Sequence, residues 1–285
     1  MNKPSFILLD GTLCEESEAL VSPINRGLMY GDSCFDTLRL YHGQFLQWER
    51  HFARLKEGLG YLRMGCPWSS SELKKDIMKL LRENGLTQGD AMVRLQVWRE
   101  GGRGYRTEAS GARWMIQASP YEADKDKALN LTIAETRCIP SKSLKRTVKL
   151  GSGLNYVQAA AEARDANCDN ALMFTIDDYI SETTTANVFW VKGHRLFTPS
   201  VSCDLLPGVM RSIIIDLCKQ EGIPVIQGEY QRDELKEAEA LFCCNSLIEI
   251  QPVHTVGDLT FDEDHQLIQK LKQLISGYKE IHLKE

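Results

Sequence analysis

The sequence contains no long hydrophobic run. Its longest apolar stretches, such as residues 171–176 and 212–215, fall far short of the roughly 20 residues that a helix needs to cross a bilayer. Basic residues are not in excess either, since 34 Lys and Arg stand against 39 Asp and Glu and give a formal net charge of −5. This balance provides no broad positive surface for nucleic acid or for an anionic membrane. We therefore expect a small-molecule partner, and neither a nucleic-acid nor a membrane partner.

Cysteine occurs nine times, but in no pattern typical of a metal site or a disulfide framework. The number is odd, the positions are scattered, and the one adjacent pair, Cys243-Cys244, suits neither zinc nor an easy disulfide. The first residues also lack the long apolar region and the small-residue cleavage site of a signal peptide. These absences predict free thiols in a reducing cytoplasm.

Strand-like and helix-like segments are mixed along the chain without a regular βαβ repeat, which favours an α+β fold. Apolar spacing and capping residues predict helices at residues 48–62, 69–85, 155–166, 208–221 and 263–275. Ser69 and Glu72 fit a capping box at the start of the second of these. Apolar alternation and short apolar runs predict strands at residues 34–41, 91–98, 114–119, 129–133, 171–176 and 187–191. The polar segment 121–127 is the predicted linker between one domain at residues 1–120 and another at residues 128–285.

Two residues suggest chemistry at an imine-forming cofactor. Lys149 precedes a Gly/Ser-rich turn and a predicted helix, and its apolar neighbours would desolvate the amine and favour its nucleophilic form. Glu182 precedes three threonines, whose hydroxyls could orient ring or phosphate oxygens, and a predicted strand. Either residue alone is more often an ordinary solvated side chain. Together, an amine that holds an aldehyde and a carboxylate that keeps a ring nitrogen protonated are what pyridoxal 5'-phosphate requires.

Two other segments could bind a phosphate. The sequence LPGVMR, residues 206–211, opens a predicted helix whose first N–H groups suit a phosphate dianion, although an ordinary helix start with proline near its first turn reads the same way. Arg54 lies on the predicted helix that contains His51, and a guanidinium can hold a phosphate in bidentate fashion. We interpret His51 as a packing residue. The six histidines form no cluster, so none is assigned to a metal or to catalysis.

A glycine-rich loop with the sequence GGRGY, residues 101–105, joins two predicted strands. It lacks the strand, lysine and Ser/Thr context of a phosphate loop. Arg103 and Tyr105 in this loop are candidates to bind substrate carboxylates.

Together these segments resemble the class IV (fold-type IV) pyridoxal-phosphate enzymes, which include branched-chain aminotransferases, D-amino acid aminotransferases and aminodeoxychorismate lyases. The resemblance covers nearly the whole chain. It runs through residues 26–32, 51–55, 149–163, 182–189 and 206–211. It implies a two-domain fold like that of D-amino acid aminotransferase, with a small N-terminal α/β domain and a larger C-terminal cofactor-binding domain. It also implies a homodimer, with Arg103 and Tyr105 as candidates to act across the interface.

The resemblance also implies roles for individual residues. Lys149 resembles the lysine that holds the cofactor and moves the proton at the substrate carbon. Glu182 resembles the partner of the pyridine nitrogen, and Leu206 the residue on the ring face. The implied phosphate ligands are Arg54 and the amides of Val209 and Met210, with Asn245 or Ser246 as helpers. Ser152 and Tyr156 are both candidates to bond the phenolic oxygen.

Three details favour the lyase within this family. They are the GGRGY loop, methionine at position 210 where aminotransferases often have threonine, and the sequence CNSL at residues 244–247. The lyase removes a proton from aminodeoxychorismate and releases pyruvate and 4-aminobenzoate, a step of folate biosynthesis. Asp36, a further candidate substrate residue, departs from the threonine or glutamate that lyases usually carry. A class IV aminotransferase for branched-chain or D-amino acids is the alternative, while a fold that had lost catalysis would lack the lysine or the glutamate.

We predict that Lys149→Ala removes the visible absorption band of the lysine-bound cofactor, because alanine has no amine to attach it. The measurement is an absorption spectrum of the purified variant with added cofactor, compared with Lys145→Ala as a control that should keep the band. A Lys149→Ala protein with the normal band and full turnover would exclude Lys149 as the attachment point.

Overall fold

The computed structural model describes residues 5–106, 111–124 and 127–283. The chain divides into two compact units. The first unit extends to Glu122 and also includes Val148–Ser152, and the second consists of Ala123–Thr147 and the chain from Gly153 onward. The division made from the sequence places residues 148–152 with the second domain, whereas the structure packs this segment in the first unit. Residues 125–126 of the predicted linker lie outside the described residues.

The first unit contains a six-stranded antiparallel sheet in the order β2-β1-β6-β5-β3-β4. Its strands are β1 (Phe6–Leu9), β2 (Thr12–Glu15), β3 (Ser33–Tyr41), β4 (Gln44–Phe45), β5 (Asp90–Arg99) and β6 (Ala112–Pro120). Its helices are α1 (Arg26–Tyr30), α2 (Trp48–Tyr61) and α3 (Ser70–Glu83). The strands and helices predicted for this part of the chain are confirmed within a few residues. The predicted capping box is present too, since Ser69 accepts from the Glu72 amide and Glu72 accepts from the Ser69 amide.

The pleat of β3 sends neighbouring side chains to opposite faces of the sheet. Cys34, Asp36 and Leu38 are fully buried on one face, and Phe35 and Thr37 are half-buried on the other. The buried face carries an aspartate among apolar residues, so its ion partners have to come from the elements packed against it.

The segment Val148–Ser152 pairs with the beginning of β3. The amide of Phe35 donates to the carbonyl of Lys149 at 3.0 Å, and the amide of Gly151 donates to the carbonyl of Ser33 at 2.8 Å. Leu150 forms a single antiparallel bridge with Cys34 instead of the strand that its apolar neighbours suggest. These bonds attach the segment to the first unit although its neighbours in the sequence belong to the second.

The second unit contains a nine-stranded mixed sheet. Its path runs β12-β11-β10-β13-β14-β7-β8-β9, and β15 pairs with β14. The strands are β7 (Leu129–Ile133), β8 (Asn170–Phe174), β9 (Ile180–Thr183), β10 (Asn187–Lys192), β11 (Arg195–Pro199), β12 (Val225–Gly228), β13 (Ala240–Asn245), β14 (Glu249–Val256) and β15 (Leu259–Thr260). The helices are α4 (Leu154–Asp165), α5 (Val209–Gln220) and α6 (Gln266–His282). β9, at one end of the path, also contacts β10 and β11, so the sheet curls back on itself.

Two elements of the second unit differ from the sequence-based prediction. The prediction placed only a turn between β8 and β10, but β9 lies there and all four of its residues are buried. Three of the four are polar, so the segment shows no hydrophobic alternation that would reveal a strand. The last helix, α6, begins and ends later than residues 263–275 and extends to His282.

All nine cysteines lie in the described ranges and are free thiols. Within those ranges, no helix is long and apolar enough to cross a membrane. The same residues contain no group of three or more His, Cys, Asp or Glu side chains placed to hold a metal ion. The α+β architecture predicted from the sequence is confirmed.

We predict that Gly31→Ala destabilises the protein by roughly 1–2 kcal/mol. Gly31 has a φ of +66°, and a Cβ atom there would lie 2.6 Å from Ser152 Oγ and 3.3 Å from Ser152 Cα. Gly60→Ala in α2 is the matched control, because no atom lies within 4 Å of a Cβ at that position; it should be neutral or stabilise by up to about 1 kcal/mol. Urea unfolding measures both free energies. Equal effects of the two substitutions would contradict the prediction.

Candidate active site

Lys149 lies against an aromatic ring of the first unit. Its Nζ is 4.6 Å from the centre of the Phe35 ring, and the residues on either side of it, Val148 and Leu150, are buried. The backbone pairing with β3 fixes the carbonyl of the lysine itself. A half-buried lysine that contacts an aromatic ring and has a fixed backbone is suited to attach a carbonyl group through its amine.

Arg94 on β5 contacts the same ring. Its Cζ lies 3.9 Å from the Phe35 ring centre, its Nη2 donates to Gln96 Oε1 at 3.0 Å, and Thr37 is its register partner on β3. Burial lowers the pKa of its guanidinium below the usual value. Arg94 was not identified as a site residue from the sequence, although an arginine within a predicted strand of alternating apolar residues could have indicated it. It provides a cation on the same sheet face as the lysine.

Arg54 is held by a buried carboxylate. Its Nε donates to Asp36 Oδ2 at 3.0 Å and its Nη2 donates to Asp36 Oδ1 at 2.8 Å, while His51 Nδ1 lies 3.1 Å from Oδ1. The Thr37 amide donates to the same oxygen at 2.7 Å. His51, interpreted as a packing residue, is buried and also part of this cluster. The predicted phosphate ligand Arg54 therefore has a fixed orientation.

Asp36 has 0% of its surface exposed. This burial does not support the predicted contact with substrate, and the carboxylate orients Arg54 and His51 instead. Burial alone would raise the pKa of the Asp36 carboxyl, but the charges and hydrogen bonds of Arg54 and His51 outweigh it and hold the pKa well below its usual value. The partners of Asp36 could not be read from the sequence, because they lie on α2 and reach Asp36 only when that helix packs on β3.

The GGRGY loop is attached to α1 by Arg26. Nη1 of Arg26 donates to the carbonyls of Gly102 at 3.1 Å and Gly104 at 2.7 Å, and its Nε donates to Asp32 Oδ2 at 2.8 Å. The Gly104 amide donates to the hydroxyl of Tyr30 at 2.8 Å.

The two side chains that the loop presents are both exposed. Tyr105 is 90% exposed and contacts the Tyr30 ring, and Arg103 is exposed as well. The structure thus places both predicted substrate residues, exposed, on an anchored loop.

Glu182 in β9 is buried and surrounded by donors. Oε1 accepts from the Tyr156 hydroxyl at 2.8 Å, and Oε2 accepts from Asn187 Nδ2 at 3.1 Å and from the Leu206 amide at 3.2 Å. Asn187 Nδ2 also donates to the Leu206 carbonyl at 2.8 Å. The predicted residues Glu182 and Leu206 are therefore in direct contact, and Asn187 bonds both of them. Asn187 was not identified from the sequence.

Both candidates for the phenolic oxygen have other acceptors. The one proton of Tyr156 goes to Glu182, and Ser152 Oγ donates to the Gly31 carbonyl at 3.2 Å. A hydroxyl has a single proton to donate, so neither residue in this arrangement has a second one for the phenolic oxygen.

The threonines after Glu182 form the turn into β10. Thr183 Oγ1 bonds both the carbonyl and the amide of Ala186 at 3.0 Å, and Thr184 Oγ1 donates to Asn170 Oδ1 at 2.6 Å. Thr185 Oγ1 accepts from Asn170 Nδ2 at 3.1 Å. The Thr183 hydroxyl therefore closes the turn, and the hydroxyls of Thr184 and Thr185 attach it to Asn170 at the start of β8. Their role in orienting a ring or a phosphate stays a prediction.

The start of α5 lies next to Glu182. Gly208 is its N-cap, and the Gly208 amide donates to Asn187 Oδ1 at 3.2 Å. A Cβ at Gly208 would come within 2.3 Å of that oxygen, so only glycine allows the close approach. Val209 and Met210 follow in the first turn, where backbone N–H groups have no partner within the helix. This is the geometry predicted for a phosphate site.

Asn245 and Ser246 lie where β13 ends. Asn245 Oδ1 accepts from the amides of Leu247 at 2.8 Å and Ile248 at 2.9 Å, and its Nδ2 donates to the Thr185 carbonyl at 3.0 Å. Asn245 thus shapes the turn that contains Ser246, which is half-buried.

The residues present fit pyridoxal phosphate. A lysine amine can attach the aldehyde, a buried carboxylate with three donors can face a ring nitrogen, and a helix start with a required glycine can take the phosphate.

The chain belongs to the class IV aminotransferase family, whose model matches residues 33–256. It is accordingly a pyridoxal-phosphate-dependent enzyme, as the resemblance predicted. The match includes Lys149, Glu182 and the start of α5.

Relatives with two different activities cover nearly the whole chain. A putative branched-chain-amino-acid aminotransferase of Methanocaldococcus jannaschii is 30% identical over 98% of this chain and 96% of its own length. An aminodeoxychorismate lyase of Bacillus subtilis is 28% identical over 90% of this chain and 88% of its own. The branched-chain aminotransferase of Thermoproteus uzoniensis with norvaline shares the fold, with a TM-score of 0.91, 24% identity and coverage of 99% and 96%.

We predict that Asp36→Ala destabilises the protein by about 3–5 kcal/mol at pH 7, because it leaves the buried Arg54 guanidinium without its partner. The pKa of Asp36 is lower in the folded protein than its usual 3.8. The stabilisation is therefore complete above about pH 4 and is lost as the pH falls further.

The measurement is urea unfolding of both proteins between pH 7 and pH 3. Asp177→Ala, at an exposed turn, is the control and should change stability by less than about 0.5 kcal/mol. A variant as stable as the parent at pH 7 would show that the ion pair does not stabilise the fold.

Proposed function

We propose that this enzyme is an aminodeoxychorismate lyase, which releases pyruvate and 4-aminobenzoate from aminodeoxychorismate. The observation that carries the proposal is the GGRGY loop, which Arg26 fixes through the carbonyls of Gly102 and Gly104 so that Arg103 and Tyr105 are presented together. The similarity to the lyase of Bacillus subtilis supports it.

The positive side chains of the first unit suit a substrate with two carboxylates. Aminodeoxychorismate carries one carboxylate on its ring and one on its enolpyruvyl group. Arg94, beside Lys149 on the Phe35 ring, and Arg103 on the anchored loop supply two guanidinium groups for them.

The bound cofactor supplies an electron sink for the substrate carbon. Lys149 would hold the cofactor aldehyde, and once the substrate amine has taken its place, the released lysine amine would accept the proton from the substrate C–H group. Glu182 would bond the ring nitrogen, and its donors Tyr156, Asn187 and Leu206 stabilise the carboxylate in the ionised form. Arg54, oriented by Asp36, and the first amides of α5 would bind the phosphate.

A class IV aminotransferase is the second candidate. The relative from Methanocaldococcus jannaschii, with 30% identity over nearly the full chain, favours it. In both enzymes the lysine would remove the same substrate proton, and they differ in whether a leaving group then departs from the substrate or an amino group is passed on to a keto acid.

The setting that we propose is a homodimer in the cytoplasm that serves folate biosynthesis. Nine free thiols are consistent with a reducing compartment.

The test is a product assay of the purified holoenzyme with aminodeoxychorismate and no keto acid. We expect pyruvate and 4-aminobenzoate in equal amounts over many turnovers, with Lys149→Ala as the inactive control. If no product is released and amino acids convert the cofactor to its amine form, the lyase proposal is wrong and the enzyme is an aminotransferase.

A further inference from the structure

A buried arginine lies one hydroxyl group away from Glu182. Arg146 Nη2 donates to the hydroxyl oxygen of Tyr156, and Tyr156 donates to Glu182 Oε1 at 2.8 Å. The Arg146 guanidinium also lies over the Tyr156 ring, 5.3 Å from its centre. These bonds join the loop that contains Arg146, between β7 and α4, to helix α4 and strand β9.

The chemistry of the three groups fixes the direction of both bonds. A guanidinium has only donors, so the tyrosine oxygen must accept from Arg146. The single proton of Tyr156 is then left for Glu182. Burial, followed by the neighbouring Glu182 charge, raises the pKa of Tyr156 well above its usual value, so the hydroxyl keeps this proton.

Because Arg146, Tyr156 and Glu182 are buried or partly buried, their charges and dipoles interact strongly. Arg146 and Glu182 are each about 5% exposed, so little water screens them from each other. Cys138, Asp204 and Arg211 are ionisable groups that interact electrostatically with this cluster. Arg146 has no carboxylate bonded to it directly among the described residues, so its charge acts on Glu182 through the tyrosine.

We propose that Arg146 and Tyr156 are positioning residues that hold the Glu182 carboxylate, oriented and ionised, toward the cofactor's ring nitrogen. This inference rests on the proposed role of Glu182. Arg146 polarises the tyrosine O–H bond and strengthens its donation, while the Asn187 amide and the Leu206 N–H hold the other carboxylate oxygen. The carboxylate is thereby restrained from both sides.

The test compares two cofactors on apoenzyme. One is pyridoxal phosphate and the other is deazapyridoxal phosphate, which carries a C–H group in place of the ring nitrogen. We expect Tyr156→Phe and Arg146→Gln to weaken binding of pyridoxal phosphate roughly tenfold, the size of one lost hydrogen bond to a charged group. Binding of the deaza analogue should change less than about twofold, because it makes no bond to Glu182.

Further variants separate positioning from folding. Arg146→Lys keeps the charge and should recover part of the lost affinity for pyridoxal phosphate. Tyr230→Phe is the matched control, because that hydroxyl bonds the Ile226 carbonyl, away from Glu182, and both affinities should stay unchanged. In turnover assays, Tyr156→Phe should lower kcat with little change in KM for the amino substrate.

If Tyr156→Phe weakens the binding of both cofactors equally, the proposal is overturned and the tyrosine has only a structural role. If Tyr156→Phe weakens the binding of neither cofactor, the proposal is overturned as well. Glu182→Gln identifies which idea has failed. If it weakens pyridoxal phosphate selectively while Tyr156→Phe does not, Glu182 keeps its role and only the positioning is refuted. If it shows no selectivity, the proposed role of Glu182 fails, and the positioning role fails with it.

Discussion

The pairing of residues 149–151 with the beginning of β3 is the constraint on which the lysine depends. Two backbone hydrogen bonds, from Phe35 to the Lys149 carbonyl and from Gly151 to the Ser33 carbonyl, attach a short segment to a sheet that is distant in the sequence. Because the bonds involve the main chain, they fix the backbone of the lysine at the edge of the sheet. Glycine at position 151 allows the two segments to approach this closely, since a Cβ there would lie 1.9 Å from Ser33 Oγ.

Buried charge in both units follows one rule: each carboxylate is surrounded by donors before it is removed from water. Asp36 has Arg54, His51 and a backbone amide, and Glu182 has a tyrosine, an asparagine and a backbone amide. Asp36 bonds the Arg54 cation directly and orients it, whereas the Tyr156 hydroxyl that donates to Glu182 connects that carboxylate to the cationic Arg146.

Local sequence signals predicted the elements well where the side chains themselves carry the pattern. The capping box at Ser69 and Glu72 and the apolar spacing of α2 and α3 gave those helices nearly to the residue. The same approach failed at β9, because Ser181, Glu182 and Thr183 are polar and yet buried. Thr183 Oγ1 bonds the backbone of a tight turn at Ala186, and the hydroxyls of Thr184 and Thr185 bond the Asn170 side chain.

The sequence by itself determined the family, the candidate reactive groups and most of the helices, because these depend on residue type and on spacing between near neighbours. Lys149, Glu182 and the glycine at the start of α5 were identifiable in this way. Only the tertiary structure decided which side chains orient them. Arg54 lies 18 residues from Asp36, and Tyr156 lies 26 residues from Glu182. Contacts over such separations are formed by packing of α2 on β3 and of α4 on its strands, and no local pattern records them.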